Sequence, residues 1–337
     1  MISKEIGSEF WFDVVLPQAT SDRDGVFTIS GRTAIDVIIQ DILATRQIHN
    51  VYMPAWGCDS MIDPFVDRGI NVDLYDVSFD GQLKYAVDEN HHADIFYVNN
   101  YFGYETTIAP EVISKFKQKD SIILYDRTHS MLMDDDPYKA LADYSFASIR
   151  KWMGVIGGAM VEGVKNKALK PCPYLEPKET AMRMKQAIIN GDSSVDKQEF
   201  LRLYGEFGHH LAEDYRDYAM DDLSYAIYRD TDFAAMKAQH RENAKYLHSH
   251  LDLQFLSPLT SNACPLFVPV FFSNKEERDY VRKKLIEAEI YCPIHWPKNQ
   301  LITPDLQVNH IFDTELSLIC DQRYDVSDMQ RIVETIK

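Results

Sequence analysis

The sequence predicts a three-layer α/β/α fold with a mostly parallel sheet, followed by a small C-terminal α+β domain. Three observations carry this. Between Asn50 and Asp126 short apolar runs alternate with helix-patterned segments, the order that βαβ units produce. The runs are continuously apolar rather than alternating, as in strands covered on both faces. From Cys264 onward the order changes to strand, helix, strand, strand and helix. The expected division is therefore a large domain, residues 1–230, with an N-terminal arm and a helical extension, and a small domain, residues 231–337.

The elements follow in order. Residues 1–27 contain aromatic-rich pieces such as EFWFDVVL and read as a lead-in arm. From Arg32, the residues Ile35, Ile38, Ile39, Ile42 and Leu43 recur at helical spacing and make one apolar stripe. Ser30-Gly31 stands where a cap belongs. Asn50 to Pro54 is a short strand broken by Pro54 and Gly57, and Asp59 or Ser60 can cap a helix over Met61 to Arg68. Ile70 to Val77, Ala93 to Asn99 and Ser121 to Asp126 read as further strands, with a helix at Pro110 to Lys117 between the last two. Tyr144 to Ile149 is a strand, and Gly158 to Glu162 returns beside it. The basic, proline-rich segment 163–177 reads as a linker. Residues 178–250 are mainly helical, ending in a long charged helix from Phe233 to Leu251. Then come strand CPLFVPVFF, helix Lys275 to Ala288, strands IYCPIHW and ELSLIC, and a final helix from Ser327.

Composition narrows the function. A net charge of −17 argues against nucleic acid, whose phosphates need a basic face, and against an anionic membrane surface. No stretch approaches the length of a bilayer span, and the N-terminus has no signal-like apolar core. Five scattered cysteines without a CxxC pair indicate neither a zinc site nor a disulfide framework. A reducing cytoplasm is the expected compartment.

The chemistry concentrates around YSFASIRKWMGVIGG, residues 144–158. A lysine at the mouth of a buried strand, here Lys151, can be desolvated and so become a nucleophile. Asp126 closes an earlier strand, where α/β sheets bind ligands. Gly31 and Arg32 open a helix whose first N–H groups suit a phosphate. Amine, anion and phosphate cradle are the three things pyridoxal 5'-phosphate (PLP) requires.

SGRTAI, VYMPAWGCDSMIDPFVDRGINVDLYDV, YDRTHSM, SFASIRKWMGVIGGAMV, RENAKYLHSHL and LSLICDQRYDVSDMQRIVETI, in this order and spacing, resemble the DegT/DnrJ/EryC1/StrS sugar aminotransferases of the fold type I PLP enzymes. The resemblance covers most of the chain. It implies an aspartate-aminotransferase-like large domain, a homodimer, and transfer of an amino group from glutamate to a nucleotide-linked keto-sugar. It implies that Asp126 faces the pyridine nitrogen, that His129 holds the phenolic oxygen, and that Lys151 bonds the cofactor and carries protons as acid and base. Aligned without a gap, Arg150 falls on the lysine position. A one-residue shift restores Lys151, which is preferred because arginine does not lose its proton. The phosphate serine is then Ser145 by the family match or Ser148 by its S-x-x-K spacing. Cys58 occupies the position that covers the ring, with Trp56 as the neighbouring alternative. His295 and Arg323 lie where relatives touch substrate, and an arginine there can clamp a carboxylate. Relatives carry glutamate before Gly157-Gly158, where this chain has Ile156. A dehydratase or lyase step on the same scaffold, or a non-catalytic binding protein, are the alternatives.

Overall fold

The computed structural model describes residues 5–106, 108–165 and 167–337. Met1 to Lys4 of the arm, Thr107 and Asn166 of the 163–177 linker lie outside the described residues. The chain forms two compact units. One contains residues 8–47 and 146–231, and the other contains residues 5–7, 48–145 and 232–337. The expected partition cuts the chain between residues 230 and 231, and this one between 231 and 232. They differ in that residues 48–145 cluster with the C-terminal segment. The reason is a shared core: Phe79 stacks on Phe271 at 3.7 Å, and Leu256, Val308, Ile311 and Phe312 join the cluster built on Tyr75, Phe96 and Phe116.

The chain begins with β1 (Ile6–Gly7), β2 (Val26–Thr28) and α1 (Gly31–Leu43). Ser30, in extended conformation, accepts the Thr33 N–H and so starts α1 where the sequence placed a cap. The isoleucine stripe is buried at Ile35, Ile38, Ile39 and Ile42. Next come β3 (Asn50–Pro54), α2 (Asp59–Val66), β4 (Asn71–Phe79), β5 (Leu83–Ala86), β6 (Ile95–Asn99), α3 (Pro110–Gln118) and β7 (Ile122–Asp126). The strand order within this stretch is β7-β6-β3-β4-β5. The pairs β7/β6, β6/β3 and β3/β4 are parallel, and β5 is an antiparallel edge. The sequence reading passed over β5, whose pattern alternates half-buried and exposed residues.

The chain then runs through β8 (Tyr144–Ala147), β9 (Ala159–Glu162), α4 (Leu175–Ile189), α5 (Lys197–Glu213) and α6 (Asp222–Asp230). β9 pairs antiparallel with β2, and α4 and α5 pack on one another. The expected strand to Ile149 stops at Ala147, and Ile149–Lys151 forms a single 3₁₀ turn.

The last stretch holds α7 (Phe233–His250), β10 (Gln254–Phe255), β11 (Val268–Phe271), α8 (Lys275–Glu287), β12 (Ile290–Tyr291), α9 (Val308–Thr314), β13 (Glu315–Leu318) and α10 (Val326–Ile336). β1 pairs with β12, and β10-β11-β13 form an antiparallel sheet. Three expected strands are shorter than predicted, ELSLIC ending at Leu318. In CPLFVPVFF the first residues bond to a loop instead, with Cys264 N–H donating to Gly103 O and Leu266 N–H to Phe102 O. In IYCPIHW the strand ends at Tyr291, because Pro293 and Pro297 have no N–H for a ladder. Among the described residues no helix is long and apolar enough to cross a membrane.

Candidate active site

β3, β6 and β7 are neighbours with parallel register, and Asn99 pairs with Asp126 at their carboxyl ends. The loops leaving these ends therefore adjoin. They carry Trp56 and Cys58, Tyr101 and Phe102, and Asp126 to His129. The Asp126 carboxyl group is buried and receives two donors: the Tyr97 hydroxyl to Oδ2 at 2.9 Å and the Thr128 N–H to Oδ1 at 2.8 Å. Both favour its ionised form. Burial, and then the Asp126 charge, hold the Tyr97 hydroxyl well above its ordinary pKa, so Tyr97 stays a donor. Sequence reasoning missed Tyr97. A tyrosine two residues before the end of the neighbouring buried strand was the available signal.

His129 is buried beside Phe102, with ring centroids 4.6 Å apart, and stacks on Trp296 at 5.7 Å. Its Nδ1 accepts the Phe102 N–H at 3.2 Å. A neutral His129 therefore carries its proton on Nε2. Gly103 makes this approach possible. It has φ +75°, and a Cβ there would lie 2.1 Å from the Cys264 carbonyl and 2.8 Å from that of His129.

Cys58 is half-buried at the N-cap position of α2, with its Sγ 3.0 Å from Ser60 Oγ. Trp56 is not placed to cover a ring. It is fully buried, its face stacks on Tyr101 at 4.3 Å, and its Nε1 donates to the His295 carbonyl at 2.7 Å. The reason is the aromatic content of the adjoining loops, which close over it. His295 is buried rather than loop-exposed. Its N–H donates to Glu315 Oε2 at 2.8 Å, and its Nδ1 lies 2.9 Å from Ser317 Oγ. Arg323 is not offered as a clamp. Its side chain is 2% exposed, and Nε and Nη2 bond to the two oxygens of Asp321 at 2.8 Å each. Asp321 is the counter-ion its burial requires. Sequence reasoning also missed Glu315 and Ser317. A glutamate opening the otherwise apolar run ELSLIC was the signal.

The other compact unit holds most of the remaining candidates. Gly31 and Arg32 form the first turn of α1. Arg32 Nη1 donates to Leu211 O at 2.9 Å, so its side chain is directed along α5 while its backbone opens the helix. A Cβ at Gly31 would lie 3.5 Å from Phe146 Cε2 and from Ser148 Cβ, and 3.9 Å from Ser148 Oγ. Ser148 thus flanks the helix start. Ser145 is also buried. It is of opposite parity to Phe146 along β8 and points to the other side of that strand.

Lys151 ends the 3₁₀ turn and is exposed. The expectation of a desolvated amine at this position is corrected, because the strand ends four residues earlier and the turn brings the side chain to the surface. Two amines of this unit are buried on α4, Lys185 and Lys178; the Lys178 Nζ lies 3.2 Å from the centroid of the Tyr204 ring. Burial pushes Lys178 well below its ordinary pKa, with Arg150 and Lys151 pushing the same way and Glu9 opposing.

No protein-family model matches the chain, and no curated protein matches it. Solved structures do. A putative sugar aminotransferase, Spr1654 from Streptococcus pneumoniae in its PLP form, superposes with a TM-score of 0.64 at 15% identity, covering 93% of this chain and 86% of that one. Helicobacter pylori PseC, an aminotransferase of pseudoaminic acid biosynthesis, gives 0.66 at 12% identity, covering 93% and 86%. DesI, solved in the presence of its TDP-sugar product, gives 0.61 at 14%, covering 93% and 80%. The chain shares the fold of these structures. The large mostly parallel sheet flanked by helices, expected from the strand–helix alternation, is the one these structures share.

Proposed function

We propose that the chain is a PLP-dependent aminotransferase that moves an amino group from glutamate to a nucleotide-linked keto-sugar in amino-sugar or surface-polysaccharide biosynthesis. The observation that carries the reading is the Asp126 carboxylate, buried at the carboxyl end of β7 and fixed by Tyr97 and Thr128. The residues fit the cofactor on two further points. His129 carries its proton on Nε2 when neutral and so can donate to a phenolic oxygen. The first turn of α1 opens at Gly31 beside Ser148, and the N–H groups of that turn suit a phosphate. Ser148, flanking that turn, is favoured over Ser145 as the phosphate serine.

Bound there, PLP supplies a ring that draws electron density from the carbon bearing the amino group. Asp126 would keep the ring nitrogen protonated. Lys151 Nζ would hold the cofactor and would act as the acid and base that carries a proton during the transfer. Cys58, beside the end of β3, is the residue that would lie against the ring. A cytoplasmic homodimer belongs to this reading, with the second copy covering the exposed Lys151. The five free cysteines accord with a reducing compartment.

The test is the visible spectrum of the purified protein with added PLP, followed by borohydride reduction and peptide mapping. Cofactor trapped on Lys151, and a colour bleached by L-glutamate before reduction, are expected. Cofactor on another lysine or on none refutes the site. Trapping on Lys151 without a response to amino donors leaves a dehydratase or lyase instead.

A further inference from the structure

Glu315 is a fully buried carboxyl group on β13 that the proposed reaction does not use. It grips His295 twice. Oε2 accepts the His295 main-chain N–H at 2.8 Å, and Oε1 lies 2.5 Å from Ser317 Oγ, which lies 2.9 Å from His295 Nδ1. The His295 ring faces Phe102 at 5.2 Å, Phe267 at 4.9 Å and His129 at 6.4 Å. The Trp56 indole fixes the same residue through its carbonyl. A chain of hydrogen bonds thus runs from a buried acid through a hydroxyl to an imidazole in the wall that also holds His129.

We infer that Glu315 is a positioning residue which, through Ser317, sets the tautomer of His295, so that His295 meets an oxygen on the substrate as an N–H donor at Nε2. The proton bookkeeping is closed. With Glu315 protonated, its O–H donates to Ser317 Oγ and the Ser317 O–H donates to His295 Nδ1, which leaves the imidazole proton on Nε2. With Glu315 ionised, Ser317 donates to the carboxylate and Nδ1–H donates to Ser317, so Nε2 becomes an acceptor. When Nε2 gives its proton away, Nδ1 takes one from Ser317 and Ser317 takes one from Glu315.

Burial pushes the Glu315 carboxyl up to about 8, against the weaker opposing effects of Ser317, the His295 N–H and Arg278. The donor arrangement therefore prevails near neutral pH. Arg278 on α8 donates from Nη1 to the Glu315 carbonyl at 3.0 Å and bonds through Nε to Asp279 at 2.7 Å. The Cys292 thiol, pushed up to about 12, stays neutral, and Arg282 lies beside it.

The inference rests on the aminotransferase reading only in placing a substrate at His295. Its test does not need turnover. The PLP-treated protein labelled with [15N]histidine is followed by long-range 1H–15N correlation from about pH 6 to about pH 10, with His295 assigned by His295→Gln. In the wild type the His295 proton should lie on Nε2 at the acid end and move to Nδ1 around pH 8. Glu315→Gln, whose amide oxygen accepts the His295 N–H while its NH₂ donates to Ser317, should hold the Nε2–H form at every pH. Ser317→Thr keeps the switch and Ser317→Ala abolishes it. A switch that persists in Glu315→Gln, or a wild-type ring unchanged across the range, overturns the inference. Cofactor absent from Lys151 overturns the aminotransferase reading alone, and the resonances of His295 still decide the relay.

Discussion

Replacing Glu315 by glutamine should remove a pH effect on stability. In the folded chain the carboxyl sits at about 8 against an ordinary value of 4.5. Between those values the folded state keeps a proton that the unfolded state gives up. Stability therefore falls as pH rises through the window, and is flat below it and above it. Each tenfold change in proton affinity is worth about 1.4 kcal/mol, so the full window is worth about 5 kcal/mol. A glutamine side chain at this position would keep both hydrogen bonds and cannot ionise, so that loss disappears. The assay is urea unfolding of both proteins, followed by tryptophan fluorescence, at a series of pH values. Every other titrating group cancels in the difference between them. The variant should match the wild type to within about 1 kcal/mol near pH 5 and exceed it by several near pH 9. A difference that stays flat from pH 5 to pH 9 would refute the claim that Glu315 is held neutral by burial.

Three further outcomes follow from the geometry. Gly103→Ala places a Cβ against two backbone carbonyls at positive φ, and should cost about 3 kcal/mol or more by thermal denaturation; an unchanged melting temperature contradicts the close approach. Lys178→Met removes a buried amine from between aromatic rings and should stabilise the chain by about 1–3 kcal/mol, less the cation–π contact with Tyr204. Because the Lys178 amine is pushed down in the folded state, wild-type stability rises with pH towards the ordinary lysine range, so the gain should be largest at acid and neutral pH and shrink above it; equal stability at pH 6 counts against the burial penalty. Asp126→Ala leaves the Tyr97 hydroxyl and Thr128 N–H without their acceptor, costing about 1–3 kcal/mol, and should slow the reaction with L-glutamate at least about a hundredfold, with partial recovery in Asp126→Glu; wild-type rates would remove Asp126 from the site.

Parts of the site were legible because they are local. The cap at Ser30 and the isoleucine stripe of α1 lie within one helical segment. Asp126 could be placed at a strand end because β7 is a short apolar run with a polar stop. The resemblance pointed to Lys151, the lysine of the proposed site. Other parts misled for a physical reason. Trp56 was an alternative because it stands two residues from Cys58, yet Tyr101 and Trp296 close over it. Arg323 looked like a clamp because its partner Asp321, two residues away, gave no sign that both would be buried.

The sequence by itself determined the alternation of the central strands and helices, the covered faces of those strands, and which residue types could serve a cofactor. Its periodicity reports which face of an element is apolar, and caps and prolines report where the element stops. Tertiary structure decided which of those groups lose water. Lys151 stays exposed while Lys178, unremarkable in sequence, is enclosed. Glu315 and His295, twenty residues apart, come within hydrogen-bond reach because β13 returns beside the segment that leaves β12. Desolvation and proton affinity belong to all the atoms around a group, and most of those atoms come from distant parts of the chain.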